Sequence, residues 1–235
     1  MGQLYAGTSG FSYAEWRGHF YPHDLKSEQM LGYYAQRLPA VELNNSFYRT
    51  PPSETLQRWA ESVPDGFRFC LKAHRAVTYA SAMFDRPGLA AELSSRLQPL
   101  GDRCGPVLIQ FPPVRQADPG LLADILRSLA RPAAVEFRHE SWFIDEVFAV
   151  LGERGAALVV TDQEKWPRAP VVNLAPFAYF RLRRDYVEAA LDEWAQVLST
   201  ELDSGRDVYA FFKHEAEGPE RAVRLVTSSS GRRSR

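Results

Sequence analysis

The sequence lacks most of the features that would take it outside the ordinary globular proteins. It has only two cysteines, Cys70 and Cys104, in 235 residues, which excludes a disulfide-rich scaffold and a cysteine-based metal site. No segment approaches about 18 uninterrupted apolar residues, the length needed for a transmembrane helix. The first residues, Met-Gly-Gln-Leu, lack the basic region and apolar core of a secretory signal. We therefore expect a cytoplasmic protein that does not enter membranes.

The chain also lacks a net charge large enough to attract a polyanion. Its 28 basic and 29 acidic side chains leave a formal charge of −1, which argues against long nucleic acid and membrane surfaces as partners. The local exception is segment 228–235, which is rich in serine and carries three arginines. We expect this segment to be a disordered basic tail. Residues 1–227 contain no linker and no internal repeat, so we expect them to form one domain.

Eight short runs rich in Val, Ile, Leu, Phe and Tyr recur about every 29 residues, an interval that accommodates a strand, a helix and two short loops. The predicted strands are Leu4–Thr8, Ala40–Asn44, Phe67–Ala73, Val107–Phe111, Ala134–Arg138, Ala157–Thr161, Ala178–Leu182 and Asp207–Lys213. Eight such units in a chain of this length are typical of a (β/α)8 TIM-type barrel. A doubly wound open sheet is the alternative, but no Gly-x-Gly-x-x-Gly turn follows the first strand.

Polar side chains alternate with apolar ones near the C-terminal ends of the predicted strands. Successive side chains point to opposite faces, and helices cover the outside of a barrel, so we expect the polar set to face inward. Val41 and Leu43 are then outward, whereas Glu42 and Asn44 are inward. The inward ionisable residues are the carboxylates Glu42, Glu136 and Asp162 and the cations Lys72, Arg138, Arg181, Arg183 and Lys213. They give the mouth of the barrel a charge of about +2, which favours a small anionic ligand.

We expect this mouth to bind a phosphorylated, nucleotide-like or sugar-like anion and, if the protein is an enzyme, to act by hydrolytic acid–base catalysis. The candidate catalytic residues are Glu136, Glu42, Lys72 and Asp162. The candidate substrate-binding residues are Arg138, Arg181, Arg183, Lys213, Asn44, His74, Gln110, Tyr48, Trp16 and Trp142. The aromatic members lie just beyond predicted strand ends, where they are placed to stack on a sugar or base.

Other functions fit parts of the same pattern and stay open. A single divalent metal on Glu42, Glu136 and Asp162 would suit a phosphodiesterase or a nuclease of the endonuclease-IV type. Among the five histidines only His19 and His23 have His-x-x-x-His spacing, and both fall in the first long loop, which argues against a multinuclear site; we expect no cofactor. Glu42 and Glu136 would suit a glycosidase, although surplus arginines do not suit a neutral sugar. The mouth would also suit a non-catalytic nucleotide- or RNA-binding module, and internal salt bridges alone would explain the charges. The sequence does not indicate the oligomeric state.

Seven different short motifs occur along the chain in a recognisable order. They are Gly7–Tyr13 with Trp16, Val41–Tyr48, Phe69–His74, Gln110–Pro113, Val135–Trp142, Tyr179–Arg183 and Phe212–Glu215. Together they resemble the YecE-like family, domain of unknown function 72. The resemblance covers nearly the whole chain and implies a (β/α)8-type barrel, but it implies no reaction because the family's activity is not established. Many members have Arg-Leu-His-Gly and Phe-Asn-Asn where this chain has Arg181–Arg184 and Phe212–His214. If those positions contact the ligand, this branch differs in substrate.

Overall fold

Eight parallel strands form a nearly closed barrel in the computed structural model, which describes residues 1–79 and 85–233. The strands are β1 (Leu4–Ser9), β2 (Ala40–Leu43), β3 (Arg68–Leu71), β4 (Val107–Phe111), β5 (Ala133–Phe137), β6 (Ala157–Asp162), β7 (Phe177–Leu182) and β8 (Asp207–Phe212). Hydrogen-bonded neighbours follow the order β3-β2-β1-β8-β7-β6-β5-β4. Isolated bridges join Phe69 to Cys104 and Lys72 to Leu108, linking the two ends of this series. The predicted (β/α)8 TIM-type barrel is confirmed, with strand ends that differ by one or two residues.

Helices connect most of the strands and cover the outside of the barrel. They are α1 (Met30–Ala35), α2 (Ser53–Glu61), α3 (Ala76–Tyr79), α4 (Arg86–Arg96), α5 (Pro119–Ser128), α6 (Asp145–Glu153), α7 (Glu188–Asp203) and α8 (Gly218–Arg233). The β6–β7 connection, residues 163–176, is an exception because it contains no helix. None of the described helices combines the length and apolar character needed to cross a bilayer.

Helix α5 shows how local sequence defines these elements. The Asp118 side chain accepts a hydrogen bond from the Leu121 N–H at 2.9 Å, and Pro119 occupies the first turn, where its missing N–H costs nothing. Leu122, Ile125 and Leu126 follow at helical spacing and are buried. A capped start followed by an apolar stripe is therefore sufficient to place this helix against the barrel.

The predicted tail boundary at residue 228 falls inside helix α8. The backbone is helical from Gly218 to Arg233, and residues 234–235 lie outside the described residues. Ala222 and Leu225 are buried and attach the first turns of the helix to the barrel. Each further residue then adds one hydrogen bond to an existing helix, and no proline interrupts the serine- and arginine-rich segment.

The N-terminal half of the barrel interior is filled by rings and small side chains. Tyr5 and Tyr209 stack with their centroids 4.8 Å apart, and Tyr179 stacks on Tyr209 at 6.1 Å. Cys70 and Ala134 belong to the same buried cluster. The buried charges Glu42, Glu136 and Arg181 lie beyond this filling, at the C-terminal end of the barrel, where barrel proteins usually place their functional sites.

Candidate functional site

Glu42 is the most heavily hydrogen-bonded side chain of the barrel mouth. It is fully buried on β2, and its Oε1 accepts from Ser9 Oγ at 2.7 Å and from Asn44 Nδ2 at 3.0 Å. Arg183 Nη2 donates to the same oxygen at 2.7 Å. The Tyr179 hydroxyl donates to Oε2 at 2.9 Å. Hydrogen-bond donors therefore contact both oxygens of this carboxylate.

Arg181 connects Glu42 to a second buried glutamate. Its Nε donates to Oε2 of Glu42 and its Nη2 to Oε1, both at 3.0 Å, while its Nη1 donates to Glu136. The Arg181 side chain is only 6% exposed. A guanidinium this deep needs compensating charge, because an unpaired buried ion costs several kcal/mol. The two carboxylates supply that charge.

Glu136, on β5, extends the network toward Lys72. Its Oε1 accepts from Gln110 Nε2 at 2.7 Å and from Arg138 Nε at 2.9 Å. The Gln110 Oε1 in turn accepts from Lys72 Nζ at 2.7 Å. Strands β2, β3, β4, β5 and β7 thus meet in one connected set of polar side chains. We call it the mouth network and define it as Glu42, Asn44, Lys72, Gln110, Glu136, Arg138, Tyr179, Arg181 and Arg183.

Both glutamates of the mouth network are ionised near neutral pH. Burial alone would raise the pKa of Glu42, but the positive charges of Arg181 and Arg183 outweigh it and hold that pKa well below its ordinary value. Burial is likewise outweighed at Glu136, where Arg181 and Arg138 lower the pKa to about 2. A carboxyl with so low a pKa is a poor proton donor at pH 7. These carboxylates hold the arginines in position.

Lys72 is the member of the network that titrates nearest to neutral pH. Burial, followed by the positive charge of Arg181, lowers its pKa to about 8. Its Nζ lies 4.0 Å from the ring centroid of Phe47. Within residues 1–79 and 85–233 no carboxylate oxygen lies close enough to pair with it, and Gln110 is its neutral partner. Lys72 can therefore gain or lose a proton near neutral pH, whereas the predicted catalytic residues Glu42 and Glu136 stay ionised.

Asp162 points away from the barrel interior, and its predicted inward orientation is wrong. Its carboxylate accepts from the Tyr186 hydroxyl at 2.8 Å and from Trp194 Nε1 at 3.2 Å, and it pairs with Arg184 Nε at 3.0 Å. The alternation of β6 explains the error. Ala157 faces the interior, so residues 159 and 161 do as well, and Asp162 faces outward. The proposed metal set of Glu42, Glu136 and Asp162 is consequently not assembled.

Lys213 also lies outside the mouth network. It follows the last residue of β8, is exposed, and pairs with Glu215. The mouth position predicted for it is wrong because its ammonium pairs with Glu215, two residues along the chain, and not with a residue of the mouth network. Removing Asp162 and Lys213 from the mouth takes away one negative and one positive charge, so the net charge of the mouth does not change. The carboxylates Glu42 and Glu136 and the cations Lys72, Arg138, Arg181 and Arg183 still leave about +2 at the mouth.

The two tryptophans expected to stack on a ligand are structural residues. Trp16 is fully buried, and its Nε1 donates to the backbone carbonyls of His214 and Glu215, both at 3.2 Å. Trp142 is also fully buried, and its Nε1 donates to the Arg115 carbonyl at 2.7 Å. Neither ring is accessible to a ligand, so the predicted stacking role does not fit this structure.

Tyr48 and His74 line a cleft beside the barrel mouth. The cleft has a volume of about 460 Å³ and also contacts Arg49 and, on α4, Leu89 and Arg96. His74 Nε2 lies 3.0 Å from the Tyr48 carbonyl oxygen, and its Nδ1 accepts from the Ala76 N–H at 3.2 Å. Both ring nitrogens thus contact backbone groups, which makes His74 a loop-ordering residue in this structure.

Sequence reasoning missed two polar residues of β6 and the loop after it. Thr161 Oγ1 and Gln163 Nε2 are buried atoms with no hydrogen-bond partner within the described part of the chain. The signal was present in the alternation, since the inward Ala157 and Val159 place positions 161 and 163 on the same face. Trp166, in the same loop, was also missed, and its ring centroid lies 5.3 Å from the Arg138 guanidinium carbon.

The comparison with known families agrees with this architecture. Residues 5–234 match the family described as "protein of unknown function DUF72". The chain belongs to this family. A DUF72 family protein of Thermotoga maritima has the same fold, with a TM-score of 0.85 at 27% identity over 97% of this chain and 99% of that one. A DUF72 family protein of Enterococcus faecalis has a TM-score of 0.76 at 19% identity over 98% of both chains, which supports the fold alone.

Two curated DUF72 relatives match over shorter segments. The UPF0759 protein YunF of Bacillus subtilis is 29% identical over 156 residues, which are 60% of this chain and 52% of YunF. The UPF0759 protein YecE of Escherichia coli K12 is 34% identical over 79 residues, which are 34% of this chain and 29% of YecE. The matched segments thus span about half or less of these relatives. The names assign no reaction to either protein.

Proposed function

We propose that the mouth network binds a small anion and uses Lys72 for proton transfer on the molecule that carries it. The observation that supports this is the imbalance of buried charge. Four cations meet two carboxylates at one end of the barrel, whereas a purely structural lattice of ion pairs would be neutral. A ligand with a phosphate or carboxylate group would supply the missing negative charge.

Arg138 and Lys72 are the best placed to meet that group. Arg138 engages Glu136 through Nε, and its side chain is 22% exposed, against 6% for Arg181. Lys72 is joined to the same glutamate through Gln110. Both cations are therefore connected to Oε1 of Glu136, whereas Arg181 donates to its Oε2. An anion between them would receive charge-assisted hydrogen bonds from two directions.

Proton transfer is assigned to Lys72 because of its pKa of about 8. As the ammonium it donates a proton and stabilises developing negative charge, and as the amine it accepts one. Glu136 and Glu42 act as positioning residues in this proposal, since they remain ionised and fully hydrogen-bonded. This arrangement supports acid–base chemistry on an anionic substrate, of which hydrolysis is one example.

The depth of the cations favours a small ligand over nucleic acid. Proteins that bind single strands present basic and aromatic side chains along an open groove. Here the side chains of Arg181 and Arg183 are 6% and 11% exposed, and the molecule as a whole carries −1. A compact anionic group reaches such a mouth more readily than a polymer backbone does.

Calorimetric titration with inorganic phosphate at pH 7 tests this proposal. Arg138→Gln removes a predicted ligand contact, whereas Lys213→Gln removes an exposed charge outside the network. A hydrogen bond to a charged group contributes about 1.5–3 kcal/mol, so Arg138→Gln should weaken phosphate binding about tenfold or more. Lys213→Gln should change the affinity less than twofold. Equal affinities in the two variants, or no binding by the unmodified protein, would contradict the proposal.

A further inference from the structure

Two buried polar atoms at the end of β6 have no hydrogen-bond partner among residues 1–79 and 85–233. They are Oγ1 of Thr161, a residue only 8% exposed, and Nε2 of Gln163. A buried polar atom without a partner costs free energy, and most such atoms in native structures are satisfied. Two of them at one strand end therefore need an explanation.

Both side chains are directed into the barrel mouth. Val159 belongs to the interior cluster, and Asp162 hydrogen-bonds outward to Trp194 of α7. Alternation along the strand then places Thr161 and Gln163 on the interior face. Thr161 is also paired in register with Arg181, the central cation of the mouth network. The unpartnered atoms thus adjoin the proposed anion site from the β6 side.

The chemistry of these atoms differs from that of the rest of the mouth. Gln163 Nε2 is a donor only, and the Thr161 hydroxyl can donate or accept. Neither is charged, so they suit neutral oxygen atoms such as those of alcohol groups. The adjoining cations carry an excess of about +2, which equals the charge of a phosphate monoester dianion in magnitude. The mouth therefore offers one cationic region and one neutral, hydroxyl-binding region.

We propose that Thr161 and Gln163 determine the substrate class of this site by binding the hydroxyl groups of a sugar phosphate. The phosphate lies against Arg138 and Lys72, and the sugar hydroxyls complete the hydrogen bonds of the two β6 side chains. This assignment rests on the proposed anion-binding function and names the kind of molecule that carries the anion. It also gives a role to two buried polar atoms that have no hydrogen-bond partner in the described part of the chain.

Titration with ribose 5-phosphate and with inorganic phosphate tests this assignment. The unmodified protein should bind ribose 5-phosphate at least about tenfold more tightly than phosphate, because two further hydrogen bonds form. Thr161→Val and Gln163→Leu should each weaken ribose 5-phosphate binding about fivefold and change phosphate binding less than twofold. Thr227→Val, on the exposed face of α8, is the matched control and should change neither.

A thermal measurement separates a ligand contact from a structural role. Thr161→Val removes a buried hydroxyl that has no partner, so the ligand-free variant should unfold at a higher temperature than the unmodified protein. A structural hydrogen bond at Thr161 would give a lower temperature instead. If the protein binds phosphate but binds ribose 5-phosphate no more tightly, the sugar-binding assignment is wrong and the anion site stands. The same conclusion follows if Thr161→Val and Gln163→Leu weaken the binding of phosphate as much as that of ribose 5-phosphate. If neither ligand binds, both proposals fail.

Discussion

At the level of single residues, Glu136 is stabilised as a carboxylate by its three hydrogen-bond donors. Gln110, Arg138 and Arg181 all donate to it, and its pKa lies at about 2 although burial acts in the opposite direction. A carboxyl with a lowered pKa in the folded state stabilises the protein above its ordinary pKa. That contribution is lost as the pH falls from about 4.5 toward 2.

Glu136→Gln should therefore destabilise the protein in a pH-dependent way. Near pH 7 the loss should be about 3 kcal/mol, because the variant leaves Arg181 and Arg138 with less compensating charge. At pH 3 the difference should be smaller, since the native carboxylate has lost part of its advantage. Urea unfolding at both pH values measures the effect.

The exposed pair of Lys213 and Glu215 provides the control for that experiment. Glu215→Gln should change the free energy of unfolding by less than about 0.5 kcal/mol at either pH, because exposed pairs contribute little. If Glu136→Gln lowered the free energy of unfolding equally at pH 7 and pH 3, Glu136 would stabilise the protein through something other than its negative charge.

Lys72 should make anion binding depend on pH. As the pH rises through about 8 its ammonium loses a proton, and the charge at the mouth falls from about +2 to about +1. Sulfate affinity, measured because sulfate keeps its charge across this range, should drop about fivefold or more between pH 7 and pH 9. Lys72→Met should bind more weakly and show no such drop, whereas Lys213→Met should retain it. A drop that persists in Lys72→Met would assign the titration to another group.

The mouth residues that alternation predicts correctly lie within the strands or directly after them. Glu42, Gln110, Glu136 and Arg181 are of this kind, and all of them enter the mouth network. Asp162 is the last residue of β6 and lies five positions from the inward Ala157, so alternation places it on the outer face, whereas Lys213 pairs with Glu215 and not with a mouth residue. The pair of Glu136 and Arg138 follows from their spacing on one strand, but the carboxylates that Arg181 and Arg183 contact could not be predicted, because they depend on how the closed barrel places non-adjacent strands.

At the level of secondary-structure elements, Asp162 links β6 to α7. Its carboxylate accepts from Tyr186 and from Trp194, on the outer side of the barrel. Asp162→Asn should lower the free energy of unfolding by about 1–3 kcal/mol, because it weakens these buried hydrogen bonds and the pair with Arg184. Phosphate affinity should change less than twofold. Loss of phosphate binding by a stably folded variant would show that Asp162 acts at the mouth.

The elements themselves were more predictable than their contacts. All eight strands follow runs of apolar residues, and α5 follows a capping aspartate, a proline and an apolar stripe. The β6–β7 connection departs from the regular pattern because residues 163–176 form no helix. That irregular segment carries Trp166, which lies beside Arg138 and which periodicity could not identify as a mouth residue.

At the level of the whole molecule, charge is distributed so that a nearly neutral protein has a positive interior at one end. The formal charge of the chain is −1, while the mouth retains about +2 after the corrections at Asp162 and Lys213. Aromatic rings close the opposite half of the barrel. The field of the mouth therefore acts on small ligands that enter from the C-terminal side. Membership of the DUF72 family supports the barrel fold but assigns no ligand, so the chemistry of this site is the guide to the ligand.

A crystal structure of the protein with phosphate at pH 7 tests the central claim most directly. The claim is that surplus positive charge at the C-terminal mouth binds a small anion. The account predicts a phosphate with its oxygens within hydrogen-bond distance of Arg138 and Lys72. A mouth without phosphate, with the anion bound only in the cleft beside Arg49 and Arg96, would contradict it.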